Sequence, residues 1–283
     1  MEDAGDNSGP AWSTFSRYLR ASSRILCVVG AGLSAPSGLS TWRGTDGLWN
    51  NNNLKDLASP ERFQEDPITV WKFYGERLLA SLAAEPNAAH HALAALAQRY
   101  EGWLTVNQNV DGLLELTEYP PSQLLSIHGS LRTVRCTMCD YHINVEKPGD
   151  LPFLLLLNST SDQPHTPILS DLPHCPRCRN MLRPAVVWFG ETLAADAPDS
   201  VDRWISEESV DMVIAAGTSL QVFPAAEWVA TVHECGAALA IIDTIRDDDM
   251  ASECDWFIQG DVQIILPSIL DTLDIDGSRG AGE

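Results

Sequence analysis

The sequence predicts an α/β fold in which a doubly wound parallel sheet carries a small inserted domain. Three observations lead to this expectation. Short apolar runs alternate with stretches of helical periodicity, glycines directly follow the first of these runs, and two Cys-x-x-Cys pairs stand near the middle of the chain. The length of 283 residues suits roughly two domains and can bury a core without disulfides.

The strand prediction begins with residues 25–29, an apolar run that is β-branched at three of its five positions. Such a run is typical of a strand buried on both faces of a parallel sheet. Further candidate strands are 103–107, 185–189, 211–216 and 239–243. Because helical stretches separate these runs, the pattern indicates a doubly wound parallel sheet.

Helices are predicted from the spacing of apolar residues. The spacing is helical from 66 to 82, with Pro67 in the first turn, where a helix tolerates proline. Residues 90–100 form an amphipathic stretch rich in Ala and Leu, and 225–235 form another. A short helix is also expected over 12–19.

The composition excludes several classes of protein. Apolar residues make up 45% and charged residues 20%, which is typical of a globular chain. The net charge of −21 repels phosphate backbones, so nucleic acid is not expected as a partner. No apolar run approaches the ~20 residues of a membrane span, so no membrane association is expected. The first ten residues resemble neither a signal nor a transit peptide, which favours the cytoplasm and/or nucleus, where thiols stay reduced.

A glycine-rich loop follows the first predicted strand. Gly30 and Gly32 flank Ala31, and Ser34 follows two residues later. Glycine at these positions allows a tight turn and close approach of the backbone to a pyrophosphate, and the N–H groups of a following helix could face the anion. A tight strand-to-helix turn without a ligand is the alternative interpretation.

Four cysteines have the spacing of a metal site. Cys136 and Cys139 form one Cys-x-x-Cys pair, and Cys175 and Cys178 form the second. Two such pairs can surround one zinc ion with four thiolates, which leaves no open position and makes the site structural. Unligated thiols or two disulfides are the alternative. His142 and His174 are nearby residues that could substitute as ligands.

Polar residues follow the second and fourth predicted strands, at the edge where open α/β sheets bind ligands. Gln108, Asn109 and Asp111 stand after 103–107, while Gly217, Thr218 and Ser219 stand after 211–216. Helix capping by these residues is the alternative for both segments.

His128 stands in Ile-His-Gly between the predicted sheet and the cysteine pairs. Its position makes it an acid/base candidate, because imidazole titrates near neutral pH. A hydrogen-bonded structural histidine is the alternative.

The order of these motifs resembles the sirtuins, the NAD-dependent protein deacylases, over residues 21 to 270. Gly-Ala-Gly-x-Ser, Arg43-Gly44, Gln108-Asn109-x-Asp111, His128-Gly129, the two Cys-x-x-Cys pairs, Phe189-Gly190-Glu191 and Gly217-Thr218-Ser219-Leu220 occur in the family's sequence. The resemblance implies a Rossmann-like domain and a smaller domain holding one structural zinc ion, with NAD and an acylated lysine meeting between them. It implies four segments: 1–20 as an N-terminal extension, 21–131 with 184–272 as the NAD-binding domain, 132–183 as the zinc domain, and 273–283 as a flexible tail.

The resemblance also implies roles for individual residues. His128 is the expected general base on a ribose hydroxyl, and Asn109 is the second expected catalytic residue. The products would be the free lysine, nicotinamide and O-acyl-ADP-ribose. Asp243 stands where the family commonly has an Asn at the adenosine ribose. The expected NAD-binding residues are Gly30, Ala31, Gly32, Ser34, Arg43, Trp49, Gln108, Asn109, Asp111, Gly217, Thr218, Ser219, Asp243 and Val262.

A finer resemblance concerns the acyl group. Tyr74 and Arg77 have the Tyr-x-x-Arg spacing of the sirtuin branch that removes succinyl, malonyl and glutaryl groups, and that spacing places both on one helix face. Arg suits a carboxylate because its planar fork binds it bidentately. A surface Arg paired with a nearby acid, beside a core Tyr, is the alternative. The other expected substrate-binding residues are Val187, Trp188, Phe189 and Gly190.

These motifs predict an NAD-dependent deacylase that takes acidic short acyl groups from lysines of protein substrates. A plain deacetylase, an ADP-ribosyltransferase, and a catalytically idle scaffold that binds NAD or ADP-ribose are the alternatives. The sequence does not fix the oligomeric state, and a monomer is the expectation.

Overall fold

The fold contains two sheets, seen in a computed structural model that describes residues 9–41, 54–157, 166–194 and 196–277. Six parallel strands form the larger sheet, and three antiparallel strands form the smaller one. In chain order the strands are β1 (Arg24–Val29), β2 (Gly102–Asn107), β3 (Leu124–Ser126), β4 (Gly129–Cys136), β5 (His142–Asn144), β6 (Leu182–Val186), β7 (Met212–Ala216), β8 (Ala238–Asp243) and β9 (Trp256–Gln259).

The larger sheet has the order β3-β2-β1-β7-β8-β9, which confirms the predicted doubly wound fold. Counting only the strands of this sheet, the order is the one of dinucleotide-binding folds, with a reversal between β1 and its neighbour β7. Open α/β sheets bind ligands beyond the carboxyl ends of their strands at such a reversal. The topology therefore locates a binding crevice after β1 and β7.

Ten helices lie in the described part of the chain. They are α1 (Pro10–Ala21), α2 (Leu54–Leu57), α3 (Pro60–Glu65), α4 (Pro67–Ala83), α5 (Ala88–Arg99), α6 (Pro152–Leu157), α7 (Asp196–Glu207), α8 (Ala225–Glu234), α9 (Asp248–Glu253) and α10 (Val262–Gly277). The predicted helix over 66–82 corresponds to α4, which Asp66 caps by accepting a hydrogen bond from the Thr69 N–H at 3.1 Å. No helix in these described ranges is long and apolar enough to cross a bilayer.

Alternate residues of the parallel strands enter two different cores. Ile25 and Cys27 of β1 face α1, α5 and α10, whereas Leu26 and Val28 face α7 and α8. All four side chains are fully buried. The period of two along a strand explains this division, because successive side chains point to opposite faces of the sheet.

A third core lies between the smaller sheet and helices α3, α4 and α6. Trp71 and Phe73 of α4 pack there with Val134 of β4 and Phe153 of α6. The indole N–H of Trp71 donates to the Leu182 carbonyl of β6 at 2.9 Å. Helix α4 thus packs on the smaller sheet, although it precedes β2 in the chain.

Two local expectations are wrong. The strand expected at 185–189 is β6, which ends at Val186 and pairs antiparallel with β4 in the smaller sheet. An apolar run shows that a strand exists but not which sheet it joins. No α-helix directly follows the glycine-rich loop: two single 3-10 turns, Ala31–Leu33 and Ala35–Ser37, replace it. Pro36 lacks the N–H that a longer helix would need, and Gly38 ends the second turn at φ 85°.

Candidate active site and metal cluster

A cavity of about 700 Å³ lies beyond the carboxyl ends of β1 and β7, at the reversal of the strand order. It brings together residues from several segments that are distant in the sequence. Among the residues expected at the NAD site, the cavity is lined by Gly30, Ala31, Gly32, Gln108, Asn109, Gly217, Thr218, Ser219, Asp243 and Val262. His128 and Phe189 line it as well.

The glycines of the site allow two loops to touch. A Cβ on Gly30 would lie 2.7 Å from the Thr218 Cβ, and one on Gly32 would lie 2.7 Å from the Gly217 Cα. Gly217 itself has φ 61°, in the left-handed region that favours glycine. The Gly32 N–H donates to the Gly217 carbonyl at 2.9 Å, which fixes the contact between the loops. These glycines are therefore needed for loop packing, whether or not a phosphate approaches them.

The orientation of His128 follows from its hydrogen bond. Its Nδ1 lies 2.8 Å from the backbone carbonyl of Gln108, and a carbonyl can only accept. The Nδ1 atom therefore carries the proton, and Nε2 is the basic nitrogen of the neutral ring. Burial lowers the pKa of His128, with the Gln108 carbonyl acting in the opposite direction. The ring is thus neutral at pH 7 and able to accept a proton.

Gln108 and Asn109 each form a hydrogen bond with one of the two glycine-containing loops. The Thr218 hydroxyl donates to Oε1 of Gln108 at 2.7 Å. The Asn109 side-chain amide donates to the Gly30 carbonyl at 2.9 Å. Neither Asn109 nor Asp111 caps a helix, and α8 begins only at Ala225, so helix capping does not explain these two polar segments.

Ser34 and Asp111 lie behind the cavity wall, in contrast to the other expected NAD-binding residues that the structure describes. Both are buried, and the Ser34 hydroxyl donates to Oδ2 of Asp111 at 2.8 Å. Burial raises the pKa of Asp111, although the hydrogen bonds from Leu113 and Ser34 oppose the shift. Ser34 and Asp111 therefore support the cavity wall from the protein interior.

His90 belongs to the same buried network, and the sequence analysis missed it. Its Nε2 lies 3.4 Å from Oγ of Ser34, while its Nδ1 accepts from the Asn87 N–H at 3.2 Å. Burial lowers its pKa to about 4, so the ring is neutral. An Asn three residues before a His, directly ahead of an Ala-rich helix, is the capping signal that could have identified this residue.

The cavity wall contributed by β8, β9 and α10 carries acidic residues. Asp243 ends β8, and its carboxylate accepts from the Ile245 N–H at 3.0 Å. Burial raises the pKa of Asp243. Val262 begins α10 and lines the same part of the cavity wall. Arg43 and Trp49 lie outside the described residues.

Tyr74 and Arg77 are neighbours on α4, as their spacing predicts. Tyr74 is buried, which raises its pKa, and the Arg77 charge opposes that shift. The Arg77 guanidinium lies 3.4 Å from the centre of the Phe73 ring and donates to the Phe73 carbonyl at 3.0 Å. No carboxylate of the described residues forms an ion pair with Arg77, and its Nε is buried without a hydrogen-bond partner among them.

The segment after β6 contacts both His128 and Tyr74. The Val187 N–H donates to the His128 carbonyl at 2.9 Å, which ties this segment to the expected base. Trp188 is buried, with its ring centre 6.1 Å from that of Tyr74. Phe189 lines the cavity, while Val187, Trp188 and Gly190 do not. Gly190, which directly follows Phe189, has φ 86° and allows the chain to turn there.

The four cysteines of the two Cys-x-x-Cys pairs lie together at one end of the smaller sheet. Their Sγ atoms are all within 4.8 Å of one another, and none is in a disulfide. The shortest distance is 3.4 Å, between Cys136 and Cys178, and Cys139 lies 3.6 Å from both Cys175 and Cys178. Tetrahedral zinc with Zn–S bonds of about 2.3 Å places its sulfur atoms about 3.8 Å apart, so the cluster fits one zinc ion. His142 and His174 are not part of the cluster.

Comparison with known proteins identifies the family. The model of the Sir2 family matches residues 30–224, more than half of the chain. The chain belongs to the Sir2 family. Its relatives include an NAD-dependent protein deacylase of Candida albicans, 37% identical across 92% of this chain and 96% of the relative. Another is NAD-dependent protein deacylase 1 of Archaeoglobus fulgidus, 40% identical across 80% of this chain and 84% of the relative.

Solved Sir2 structures share the whole fold. A Sir2 homologue in complex with NAD is 32% identical, with a TM-score of 0.78 and 97% of both chains covered. A mutant Sir2 homologue in complex with ADP-ribose is 33% identical, with a TM-score of 0.80, covering 94% of this chain and 97% of that chain. A third, 25% identical with a TM-score of 0.78, holds a deacetylated p53 peptide and 3′-O-acetyl ADP-ribose, and covers 92% and 97%.

These findings confirm the predicted sirtuin identity and the predicted class of enzyme. The cofactors expected for this chain, NAD and one zinc ion, agree with the NAD complex of a Sir2 relative and with the four-cysteine cluster. The roles of the individual site residues and the boundaries of the domains stay predictions.

Proposed function

We propose that this Sir2-family chain is an NAD-dependent protein-lysine deacylase that prefers succinyl, malonyl and glutaryl groups. The observation that carries the deacylase proposal is the position of His128 on the cavity wall with Nε2 as its basic nitrogen. The names of its relatives support the same class of reaction. The acyl preference depends on Arg77.

NAD, when bound, supplies the ribosyl carbon that takes up the acyl oxygen as nicotinamide leaves. The loops at Gly30, Gly217 and Asp243 would hold it along the cavity. Asn109 would present its side-chain oxygen to the site, because its amide nitrogen is already used in donating to the Gly30 carbonyl.

His128 acts as the base in this proposal. Its Nε2 accepts the proton of a ribose hydroxyl, and its Nδ1–H donates to the Gln108 carbonyl throughout. The Gln108 carbonyl stabilises the positively charged ring that forms. The hydrogen bond to the Gln108 carbonyl also orients the ring. The backbone of His128 is held separately, because its carbonyl accepts from the Val187 N–H.

Arg77 supports the preference for an acidic acyl group. Burial lowers the pKa of Arg77 to about 10, so the guanidinium is still charged at neutral pH. A charge that is partly desolvated and has no carboxylate partner in the described part of the chain is costly to keep. The carboxylate of a succinyl group would offset this cost by pairing with the planar fork. Tyr74 stands beside Arg77 and could donate its hydroxyl to the same carboxylate.

A panel of acyl peptides tests the proposal. Peptides of one sequence bearing acetyl-, succinyl- or glutaryl-lysine are incubated with NAD, and nicotinamide release is measured. We expect the succinyl peptide to have the highest kcat/KM. Arg77→Met should lower kcat/KM for the succinyl peptide by roughly 100-fold, the loss of a charge-assisted bidentate contact, and leave acetyl removal nearly unchanged.

The matched control is Arg203→Met, which removes an exposed arginine of α7 far from the cavity. It should change neither rate. Faster acetyl than succinyl removal, unaffected by Arg77→Met, would reject the acyl preference and favour a plain deacetylase. Absence of nicotinamide release with every peptide would reject the deacylase proposal.

A further inference from the structure

Arg132 of β4 connects two parts of the site that the chain otherwise keeps apart. Its Nε donates to Oγ of Ser81 at 3.1 Å and to the carbonyl of Asp111 at 2.9 Å. Its Nη2 donates to the Ser81 carbonyl at 2.5 Å. Ser81 lies on α4, and Asp111 lies in the segment after β2. We call this set of contacts the Arg132 clasp.

The hydrogen bonds of the clasp form a closed triangle. The Ser81 hydroxyl donates to the Asp111 carbonyl at 2.7 Å, so that this carbonyl accepts from both Ser81 and Arg132. Ser81 has no exposed surface, and Arg132 is half-buried. Hydrogen bonds from a charged donor are stronger than those between neutral groups, more so where water is excluded.

The backbone after β2 is shaped to receive the Arg132 side chain. Gly112 has φ 75°, and a Cβ at that position would lie 2.9 Å from Cδ of Arg132. The stem of Arg132 therefore packs directly on residues 108–112, which we call the cofactor loop. One residue before Arg132, the Leu131 N–H donates to the Val110 carbonyl of the same loop at 2.7 Å.

The clasp joins two regions that are proposed to bind different ligands: helix α4 near Arg77, and the cofactor loop. On α4, Ser81 lies one helical turn after Arg77, on the same face. In the cofactor loop, the Asp111 carboxylate accepts from Ser34, and Asn109 donates to the Gly30 carbonyl. A shift of α4 would thus displace the Asp111 carbonyl, and with it the loop that lines the cavity.

We propose that Arg132 and Ser81 are positioning residues that couple the acyl-binding helix α4 to the cofactor loop. Through them, an acyl group seated against Arg77 favours the loop arrangement that binds NAD, and bound NAD favours the acyl peptide in return. Such coupling between two ligands is necessarily reciprocal. The inference rests on the proposed function, since it assigns the acyl group to α4.

Equilibrium binding tests the clasp without turnover. A succinyl-lysine peptide is titrated into the protein alone and in the presence of an NAD analogue with a carbocyclic nicotinamide ribose, which cannot lose nicotinamide. The ratio of the two dissociation constants is the coupling. We expect the analogue to tighten peptide binding in the wild type, and Ser81→Ala to reduce this ratio by about three- to tenfold, the effect of one hydrogen bond. Arg132→Met, which keeps an aliphatic stem over Gly112, should reduce it further.

The control is Ser16→Ala on α1. The Ser16 hydroxyl is also buried but has no hydrogen-bond partner among the described residues, so its loss removes a hydroxyl without breaking a clasp. Ser16→Ala should leave the ratio unchanged. Thermal unfolding of each variant separates coupling from stability, and Ser81→Ala serves as the milder variant if Arg132→Met fails to fold.

A wild-type ratio near one, or a ratio that Ser81→Ala and Arg132→Met leave unchanged while lowering thermal stability, would overturn the coupling and leave a structural role only. Neither result would affect the proposed function, which is judged by nicotinamide release from the wild type. Conversely, a wild type that releases no nicotinamide with any acyl peptide would reject the function itself.

Discussion

His128 is held at both its ring and its backbone. The ring donates from Nδ1 to the Gln108 carbonyl, and the His128 carbonyl accepts from the Val187 N–H. Gln108 belongs to the cofactor loop, and Val187 follows β6 of the smaller sheet. A single residue between the two sheets is therefore oriented by both of them, which is what a base that serves two substrates requires.

The protonation of His128 predicts a pH dependence. Burial lowers its pKa below the ordinary value of 6.5, so the neutral base predominates above that pH and is lost as the pH falls through the lower pKa. We expect the acidic limb of kcat/KM to have its midpoint below pH 6.5. Nicotinamide release from an acyl peptide, measured across pH 5 to 8, checks this. An acidic limb with its midpoint above 6.5 would contradict the assignment of His128 as the base.

The sequence predicted most of the described residues that line the cavity, but not the contacts that hold them there. The glycines at 30, 32 and 217 are where the sequence placed them, but they are required by contact between two loops. Ser34 and Asp111, both expected at the NAD site, are buried and are not among the residues that line the cavity. Their positions follow from long-range contacts with His90 and Arg132, which no local pattern encodes.

At the level of elements, local sequence signals predict where a helix or strand forms, but they do not predict which other element it packs against. Pro67 and the capping residue Asp66 define the start of α4, and the helix forms where its periodicity predicts. Its packing on the smaller sheet depends on Trp71 and on residues more than 50 positions later, such as Val134. For the same reason the sequence places the apolar run 185–189 in the wrong sheet. Periodicity shows which face is buried but not against which element.

The cysteine cluster determines how the smaller sheet is stabilised. Cys136 ends β4, and Cys175 pairs its backbone with Asn180 just before β6, so an ion bound there joins both strands. We expect Cys175→Ser to lose zinc. The free energy of unfolding should then fall by about 4 kcal/mol, which lowers the midpoint of thermal unfolding by roughly 10 °C. Zinc content and a thermal scan measure this.

Cys235→Ser provides the comparison, because Cys235 is an exposed thiol outside the cluster. It should retain zinc and the wild-type midpoint. If Cys175→Ser also retained one zinc ion per chain, the cluster would not be the metal site. Addition of a strong chelator to the wild type should reproduce the destabilisation of Cys175→Ser.

For the whole molecule, the order of the motifs carried more information than any one of them. The six-stranded order, with its reversal at β1 and β7, brings the Gly30 and Gly217 loops together although they are nearly 190 residues apart. The sequence predicted that both follow strands, and the fold class then implied that they meet. The short strands β3 and β9 were not predicted, since neither has a pattern of its own longer than four residues.

Net charge predicts the salt dependence of substrate capture. Acidic residues exceed basic ones by 21, so the protein attracts Lys-rich segments at long range and repels an acidic acyl group. In the proposed function the local charge of Arg77 offsets this repulsion. Salt screens such attraction beyond about 8 Å at physiological ionic strength. For a succinyl-lysine peptide flanked by lysines, we expect KM to rise roughly fivefold between low and high salt. The same acyl-lysine flanked by neutral residues should show little change, and an equal rise for both peptides would mean that salt acts on Arg77 rather than on long-range attraction.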